Sequence, residues 1–498
     1  MASSTLAKAA TGIDGLDAIT GGGLPLGRPT LIAGAAGCGK TMLALEFLVH
    51  GATKLGEPGV FLMFEESAAE LSENVRSLGF DLDALQEQQM LVLDHVHVDR
   101  SEILETGEYN LDGLFIRLGY AIDTIGAKRV VLDTLEALFG GLPDEGILRA
   151  ELRRLFRWLK DRGVSAIITG ERGREAITRH GLEEYVADCV LLLDHRVEDN
   201  VSTRWLRVVK YRGSAHGTNE YPFMIGAEGV SVLPITSLRL EHEASTERIS
   251  VGNSGIDEML GGLGVYRGSS VLVTGSPGAG KSSVGATIAD ATCRRGERAM
   301  LFVFEESASQ LLRNMKSIGL DLQHWIDAGL LQVHASRPTH YGLEQHLMLL
   351  HDTIGAFKPS VVVVDPISNL SLNRQLTQLE ATLMRLVDML KQQQITGVFT
   401  NLTSESGAVQ EVATIGVSSL MDTWLVLSNM ESNSERIRTI QVVKSRGMPH
   451  SNQVREFELT HNGIQLFNVV REGARVVTGA ARAMHNGAEH GAVVAGVR

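Results

Sequence analysis

The chain has 498 residues, 44% of them hydrophobic, and a formal net charge of −13. That length and apolar content supply more than one packed core, so the chain reads as globular and multi-domain. The acidic balance argues against a general polyanion binder, because non-specific affinity for nucleic acid comes mainly from Lys and Arg on phosphates.

Cys38, Cys189 and Cys293 lie too far apart for a zinc site or a disulfide framework. Met1 to Ala10 carries one Lys and no apolar core, and no apolar run approaches the roughly 18 residues of a membrane helix. Neither a membrane nor a nucleic-acid partner is expected, and the expected location is the cytoplasm.

The chain repeats itself. Gly34-Ala35-Ala36-Gly37-Cys38-Gly39-Lys40-Thr41 returns as Gly275-Ser276-Pro277-Gly278-Ala279-Gly280-Lys281-Ser282, 241 residues later. Phe64-Glu65-Glu66-Ser67 returns as Phe304-Glu305-Glu306-Ser307, and Ser77-Leu78-Gly79 as Ser317-Ile318-Gly319, both at an offset of 240. Lys210-Tyr211-Arg212-Gly213 returns as Lys444-Ser445-Arg446-Gly447 at 234. A period this long is a duplicated domain and not a solenoid, whose units run to about 20–50 residues.

Strand-like apolar runs alternate with amphipathic stretches in each half, the pattern of parallel strands joined by helical crossovers. In chain order the predicted strands are Thr30–Ala33, Gly59–Phe64, Arg129–Leu132, Ser165–Thr169 and Val190–Leu193, then Ser270–Thr274, Ala299–Phe304, Val361–Val364, Gly397–Thr400 and Trp424–Leu427. The polar stretch from Thr236 to Arg248 reads as the linker, giving domains at 1–240 and 241–479 and a flexible tail at 480–498.

Each half opens with G-x-x-x-x-G-K-[ST] between a strand and a helix, the context a phosphate-binding loop requires. Its glycines turn backbone N–H groups toward the phosphates of ATP, assisted by the helix N-terminus. Lys40 and Lys281 would neutralise phosphate oxygens, and Thr41 and Ser282 would place a hydroxyl on Mg²⁺. The nucleotide-contacting sets are Gly34, Gly37, Cys38, Gly39, Lys40, Thr41, Met42 and Ser77, and Gly275, Gly278, Ala279, Gly280, Lys281, Ser282 and Ser283.

A magnesium site also calls for a strand-ending carboxylate, and Asp133 and Asp365 close buried β-branched runs about 90 residues after each loop. A helix cap or turn former is the simpler reading of either one alone. The pairs Glu65-Glu66 and Glu305-Glu306 are candidates to orient or deprotonate the nucleophile. An isolated pair would read as solvated surface charge, and which member acts stays open. Lys210 and Arg212, with Lys444 and Arg446, read either as a charged hairpin rim or as cations serving a phosphoryl group in a neighbouring subunit.

The halves differ at one informative place. Aligned on Asp188 and Asp422, Glu183-Glu184-Tyr185-Val186-Ala187 stands opposite Val417-Ser418-Ser419-Leu420-Met421. Hydroxyls beside a γ-phosphate and a Glu base can accept a phosphoryl group as a stable ester, which Glu cannot form. Turn formation is the alternative for Ser418 and Ser419.

Taken together, these segments resemble the KaiC family of double-domain RecA-superfamily ATPases, from Thr11 to about Gly479 and including the run from Ser336 to Glu344. The resemblance implies two tandem RecA-like P-loop domains of α/β class, each a mostly parallel sheet flanked by helices. It implies a homohexameric double ring with ATP at subunit interfaces, hydrolysis in the first tier and autophosphorylation in the second. By the resemblance, Ser418-Ser419 match the family's adjacent Ser-Thr acceptors, Glu305 the residue that contacts magnesium and activates the acceptor, and Glu65 and Glu66 the hydrolytic pair. The family's Arg after the second Walker aspartate is missing from Asn369-Leu370-Ser371-Leu372, although Arg374 is near. A KaiB-like partner is compatible with the match. The tail after Ala480 does not resemble the segment that recruits KaiA, so a KaiA-like partner is not expected. The rival classes are a RecA-type nucleic-acid motor, which the charge disfavours, and an ATP-gated scaffold without kinase activity.

Overall fold

The computed structural model describes residues 6–96, 111–134, 136–137, 145–173, 187–198, 201–226, 229–234, 244–337, 342–371, 376–403, 417–432, 435–468, 470–472 and 475–477. The chain divides into two compact units, Met1–Ser237 and Leu238–Arg498. Residues 236–243 of the predicted linker, the segment 183–186, Pro338 to Tyr341, Arg374 and the tail 480–498 lie outside the described residues.

Numbering the strands of the main sheets alone, the first unit contains β1 (Pro29–Gly34), β2 (Gly59–Met63), β3 (Leu91–His95), β4 (Arg129–Asp133), β5 (Ser165–Glu171), β6 (Cys189–Glu198), β7 (Val201–Tyr211), β8 (Glu220–Gly226) and β9 (Gly229–Val232). They form one sheet in the order β9-β8-β7-β6-β1-β5-β4-β2-β3. From β6 to β3 the neighbours are parallel, and β6 to β9 form an antiparallel meander.

The second unit repeats this topology with β10 (Ser270–Gly275), β11 (Ala299–Val303), β12 (Leu331–Ala335), β13 (Val361–Asp365), β14 (Thr396–Leu402), β15 (Thr423–Ser432), β16 (Glu435–Ser445), β17 (Arg455–Thr460) and β18 (Gly463–Leu466), in the order β12-β11-β13-β14-β10-β15-β16-β17-β18. Both units are thus mostly parallel sheets flanked by helices, as the alternating pattern predicts.

The central strands are continuous apolar runs because helices cover both of their faces. On one face of the first sheet the unit's first long helix, Lys40–Leu55, sets Phe47 and Leu48 among Phe61, Val131 and Leu191. On the other, Leu118 and Ile122 of helix Asp112–Ile125 and Leu155 and Leu159 of helix Glu145–Asp161 meet Leu31, Val60, Leu132 and Ile168.

The sheets extend beyond the five strands predicted per half. The outer parallel strands β3 and β12 were not predicted: only their first residue is buried, so they lack the buried run that marks the others. The meander strands carry charged residues between apolar ones, as in Arg204, Arg207 and Lys210 of β7, and pair through their backbones. Lys210 and Lys444 lie inside β7 and β16, with Arg212 and Arg446 just past their ends.

One buried cation distinguishes the first unit. Arg129 is 1% exposed at the start of β4, where the second unit has Val361 at the start of β13. Its guanidinium donates to Glu57 (2.7 Å), to the Phe47 carbonyl (2.7 Å) and to the Ala10 carbonyl (2.8 Å), and lies over the Phe47 ring. It therefore ties the N-terminal segment, the first helix and the sheet together. Removing it strips two carbonyls of their donor and Glu57 of its counter-charge. Arg129→Met is expected to destabilise the first unit by about 2–4 kcal/mol, read as a shift in its denaturant midpoint. A shift equivalent to less than about 0.5 kcal/mol, the scatter of ordinary surface changes, would refute the hub role.

Candidate active site

The turn between the central strand and the first helix has the same geometry in both units. Gly39 and Gly280 have φ of 103° and 102°, a left-handed conformation in which any side chain is strained. A Cβ on Gly34 would lie 2.8 Å from the Leu193 carbonyl oxygen, and one on Gly275 2.6 Å from that of Leu427, so each loop starts pressed against its neighbouring strand. Lys40 Nζ donates to the carbonyls of Gly34 (2.9 Å) and Ala35 (3.0 Å), and Lys281 Nζ to those of Gly275 and Ser276 (both 2.9 Å). Each ammonium is thereby held inside its loop. Burial pushes the Lys281 pKa down, opposed by the carboxylates of Asp365 and Glu305.

The strand-ending aspartates face these loops. Thr41 Oγ1 donates to Asp133 Oδ2 at 2.8 Å, and Thr169 Oγ1 donates to the other carboxylate oxygen. Burial raises the Asp133 pKa, and these hydroxyls offset part of the rise. Asp365 receives the equivalent bond from Thr400. Sequence reasoning missed Thr169 and Thr400, yet both stand on the strand beside the loop strand, opposite Ile32 and Val273.

The Glu pairs sit on the bend after β2 and β11, one residue beyond the strand ends predicted from sequence. The following Ser67 and Ser307 cap helices through reciprocal bonds with Glu70 and Gln310. Each pair therefore lies at a helix N-terminus, where negative charge is favoured. Thr41, Glu65, Glu66, Asp133 and Thr134 line one cleft.

The two members of each pair are held differently. Thr134 Oγ1 donates to Glu65 (3.0 Å) and Asn369 Nδ2 to Glu305 (3.2 Å), so the first Glu is held by the segment that follows β4 or β13. Glu306 instead accepts from Asn314 at 2.8 Å, and burial, with Asp365 and Glu305, raises its pKa.

Among the described residues no cluster of three His, Cys, Asp or Glu could hold a metal ion. A hydroxyl and one carboxylate beside a phosphate cradle nonetheless suit Mg²⁺, which keeps waters and takes substrate oxygens. Met42 opens the first helix and packs on the core, Ser283 is buried, and Ser77 ends the helix Ala68–Arg76, bonded to the Asn74 carbonyl.

The remaining predicted residues stand at the opposite end of the sheet. Ser418 and Ser419 lie in the helical turn Val417–Leu420, ahead of β15. Lys444 Nζ donates to the Ser418 carbonyl (2.9 Å) and Arg446 Nη2 to that of Ser419 (2.6 Å). Asp422 N–H reaches the carbonyl of Ser270, the first residue of β10, whereas the phosphate loop begins at its last, Gly275. At about 3.3 Å per residue, the acceptors are separated from their own loop by roughly 16 Å. In the first unit Arg212 N–H bonds the Asp188 carbonyl at the same end, so Lys210 and Arg212 are likewise remote from Lys40.

The family model described as "ATPase: KaiC" matches residues 9–237 and 249–470. A circadian clock protein KaiC2 of Synechocystis sp. is 56% identical over 96% of this chain and 85% of its own. Circadian clock oscillator proteins KaiC of Prochlorococcus marinus and Parathermosynechococcus lividus are 38% and 36% identical over 95% of this chain, and over 95% and 87% of theirs. Two copies of one nucleotide-binding architecture, matched nearly end to end, make the assignment: the chain belongs to the KaiC family of ATPases.

Proposed function

We propose that the first domain, residues 1–240, hydrolyses ATP and the second, residues 241–479, transfers the γ-phosphoryl group of ATP to Ser418 or Ser419 of an adjacent copy in a homohexameric double ring. The observation that carries this reading is the separation, in both units, of the Lys-x-Arg-Gly element from the phosphate loop of the same unit. Each half-site lacks what the opposite end of another copy offers. A head-to-tail ring completes every site.

In the transfer, Glu305 takes the proton from the serine Oγ as the Oγ–P bond forms and the bond to the bridging oxygen of ADP breaks. Lys281 and the inward amides of Gly278 to Lys281 hold the phosphate oxygens, and Lys444 and Arg446 steady the charge of the transferred group. Mg²⁺ held near Ser282, Glu305 and Asp365 would neutralise the phosphate oxygens. In the first unit Glu65 and Glu66 orient water instead, with Thr41 and Asp133 near the metal and Lys210 and Arg212 arriving from the next copy.

The names of the relatives place them in timekeeping. For this chain we propose a signalling or clock-like role that depends on phosphorylation and nucleotide state, with a KaiB-like protein as a candidate partner of the first tier.

Lys281→Ala is expected to abolish incorporation of the γ-phosphate of ATP into protein while leaving most hydrolysis intact. Equal loss of both would end the division of labour. Phosphopeptide mapping after incubation with Mg-ATP should find Ser418 or Ser419 occupied, and an unmodified peptide would return both to turn formers. Native mass spectrometry with ATP should give a hexamer, whereas a monomer with full activity would exclude the shared site.

A further inference from the structure

We infer that Asp188 and Asp422 are positioning residues that aim the arginine of each Lys-x-Arg-Gly element at the ATP of an adjacent copy, an inference that rests on the shared-site reading above. Each aspartate holds its arginine twice. The backbone N–H of Arg212 donates to the Asp188 carbonyl (2.9 Å), and that of Arg446 to the Asp422 carbonyl (2.8 Å). The side chains then pair at 3.7 Å and 3.8 Å.

A lysine from the preceding long helix completes the same trio in both units. Lys160 lies 3.6 Å from Asp188, and Lys391 lies 2.8 Å from Asp422. Arg28 also approaches Asp188 at 4.0 Å, while the backbone N–H and the hydroxyl of Ser270 each donate to Asp422 at 2.9 Å. The carboxylates are 9% and 19% exposed, whereas both arginine side chains are 53% exposed. The anchor is therefore enclosed and the cation presented.

An ion pair with one partner this exposed contributes little to stability. The trio nevertheless recurs where the flanking residues have diverged, Glu183 to Val186 against Val417 to Leu420. The Arg446 guanidinium gives Nη2 to the Ser419 carbonyl (2.6 Å) and sets Nη1 beside the carboxylate, so its head is held at two points. An arginine already oriented before the phosphoryl group arrives avoids an ordering cost at the moment of reaction. The aspartate, its backbone N–H bonded in both units to the carbonyl of the first residue of the central strand, supplies that orientation.

The test uses the full chain carrying Lys281→Ala, so that hydrolysis reports the first phosphate loop. Arg212→Ala should lower kcat by about tenfold or more, and Asp188→Asn by about three- to tenfold with KM for ATP within about twofold. Asp188→Asn added to Arg212→Ala should cost nothing further, and Asp188→Glu should recover at least about half of the lost rate. Asn preserves the backbone bond and the side-chain shape, so ATP-dependent assembly should persist. If Arg212→Ala lowers kcat and Asp188→Asn does not, positioning is wrong and the shared site stands. If Arg212→Ala is silent, both fall. Loss of assembly in Asp188→Asn, losses that add in the double variant, or a raised KM at constant kcat would each mark Asp188 as merely structural and overturn the inference.

Discussion

A loop of peptide can enclose a triphosphate only where several consecutive N–H groups turn inward, and L-residues resist the backbone angles this demands. Each unit meets the constraint at the turn from its central strand into its first helix. Gly39 and Gly280 take the left-handed angle, and Gly34 and Gly275 let the loop touch the next strand. The loop's location then dictates the rest. A strand buried on both faces must carry it, a strand-ending carboxyl must lie within reach, and the following helix must point its N-terminus at the bound anion.

Much of this can be read directly from the residues, because few side chains satisfy such demands. Glycine at a left-handed angle, lysine inside the loop and an acid after a run of valines have no ready substitutes. The meander strands after the fifth of each half were not legible. Val201–Tyr211 and Glu435–Ser445 interleave charge with apolar residues, and what makes them strands is a backbone ladder to a neighbour already placed. The threonines that hold Asp133 and Asp365 were equally hidden, since Thr in a buried strand is ordinary and only the register brings Thr169 and Thr400 to those carboxyls. Distance was the largest omission. Ser418 and Lys281 are chemically matched, but only the parallel register of β10 and β15 reveals that they occupy opposite ends of one unit.

The duplication has drifted where the cradle does not depend on it. The first helix of the first unit buries Glu46 and His50, 3.6 Å apart, at positions where the second has Thr287 and Ala291. Burial pushes the Glu46 carboxyl up to about 7 and the His50 imidazole down to about 4. Glu46 contributes stability that is lost as pH rises from 4.5 through about 7, and His50 contributes stability that is lost as pH falls from 6.5 through about 4. The slopes oppose one another over the acid range they share. The second unit buries a different set, with Asp290 of its helix held by Arg294 and Trp325, while the loop, the carboxyls and the arginine remain in common.

The central strand itself has a mechanical consequence. Its last residue opens the loop that holds one nucleotide, and its first residue bonds the aspartate that carries the arginine offered elsewhere. Between them lie four residues of a fully buried strand, hydrogen-bonded on both sides and too stiff to absorb a displacement. A shift of the loop on nucleotide exchange would be carried along that strand to the far edge.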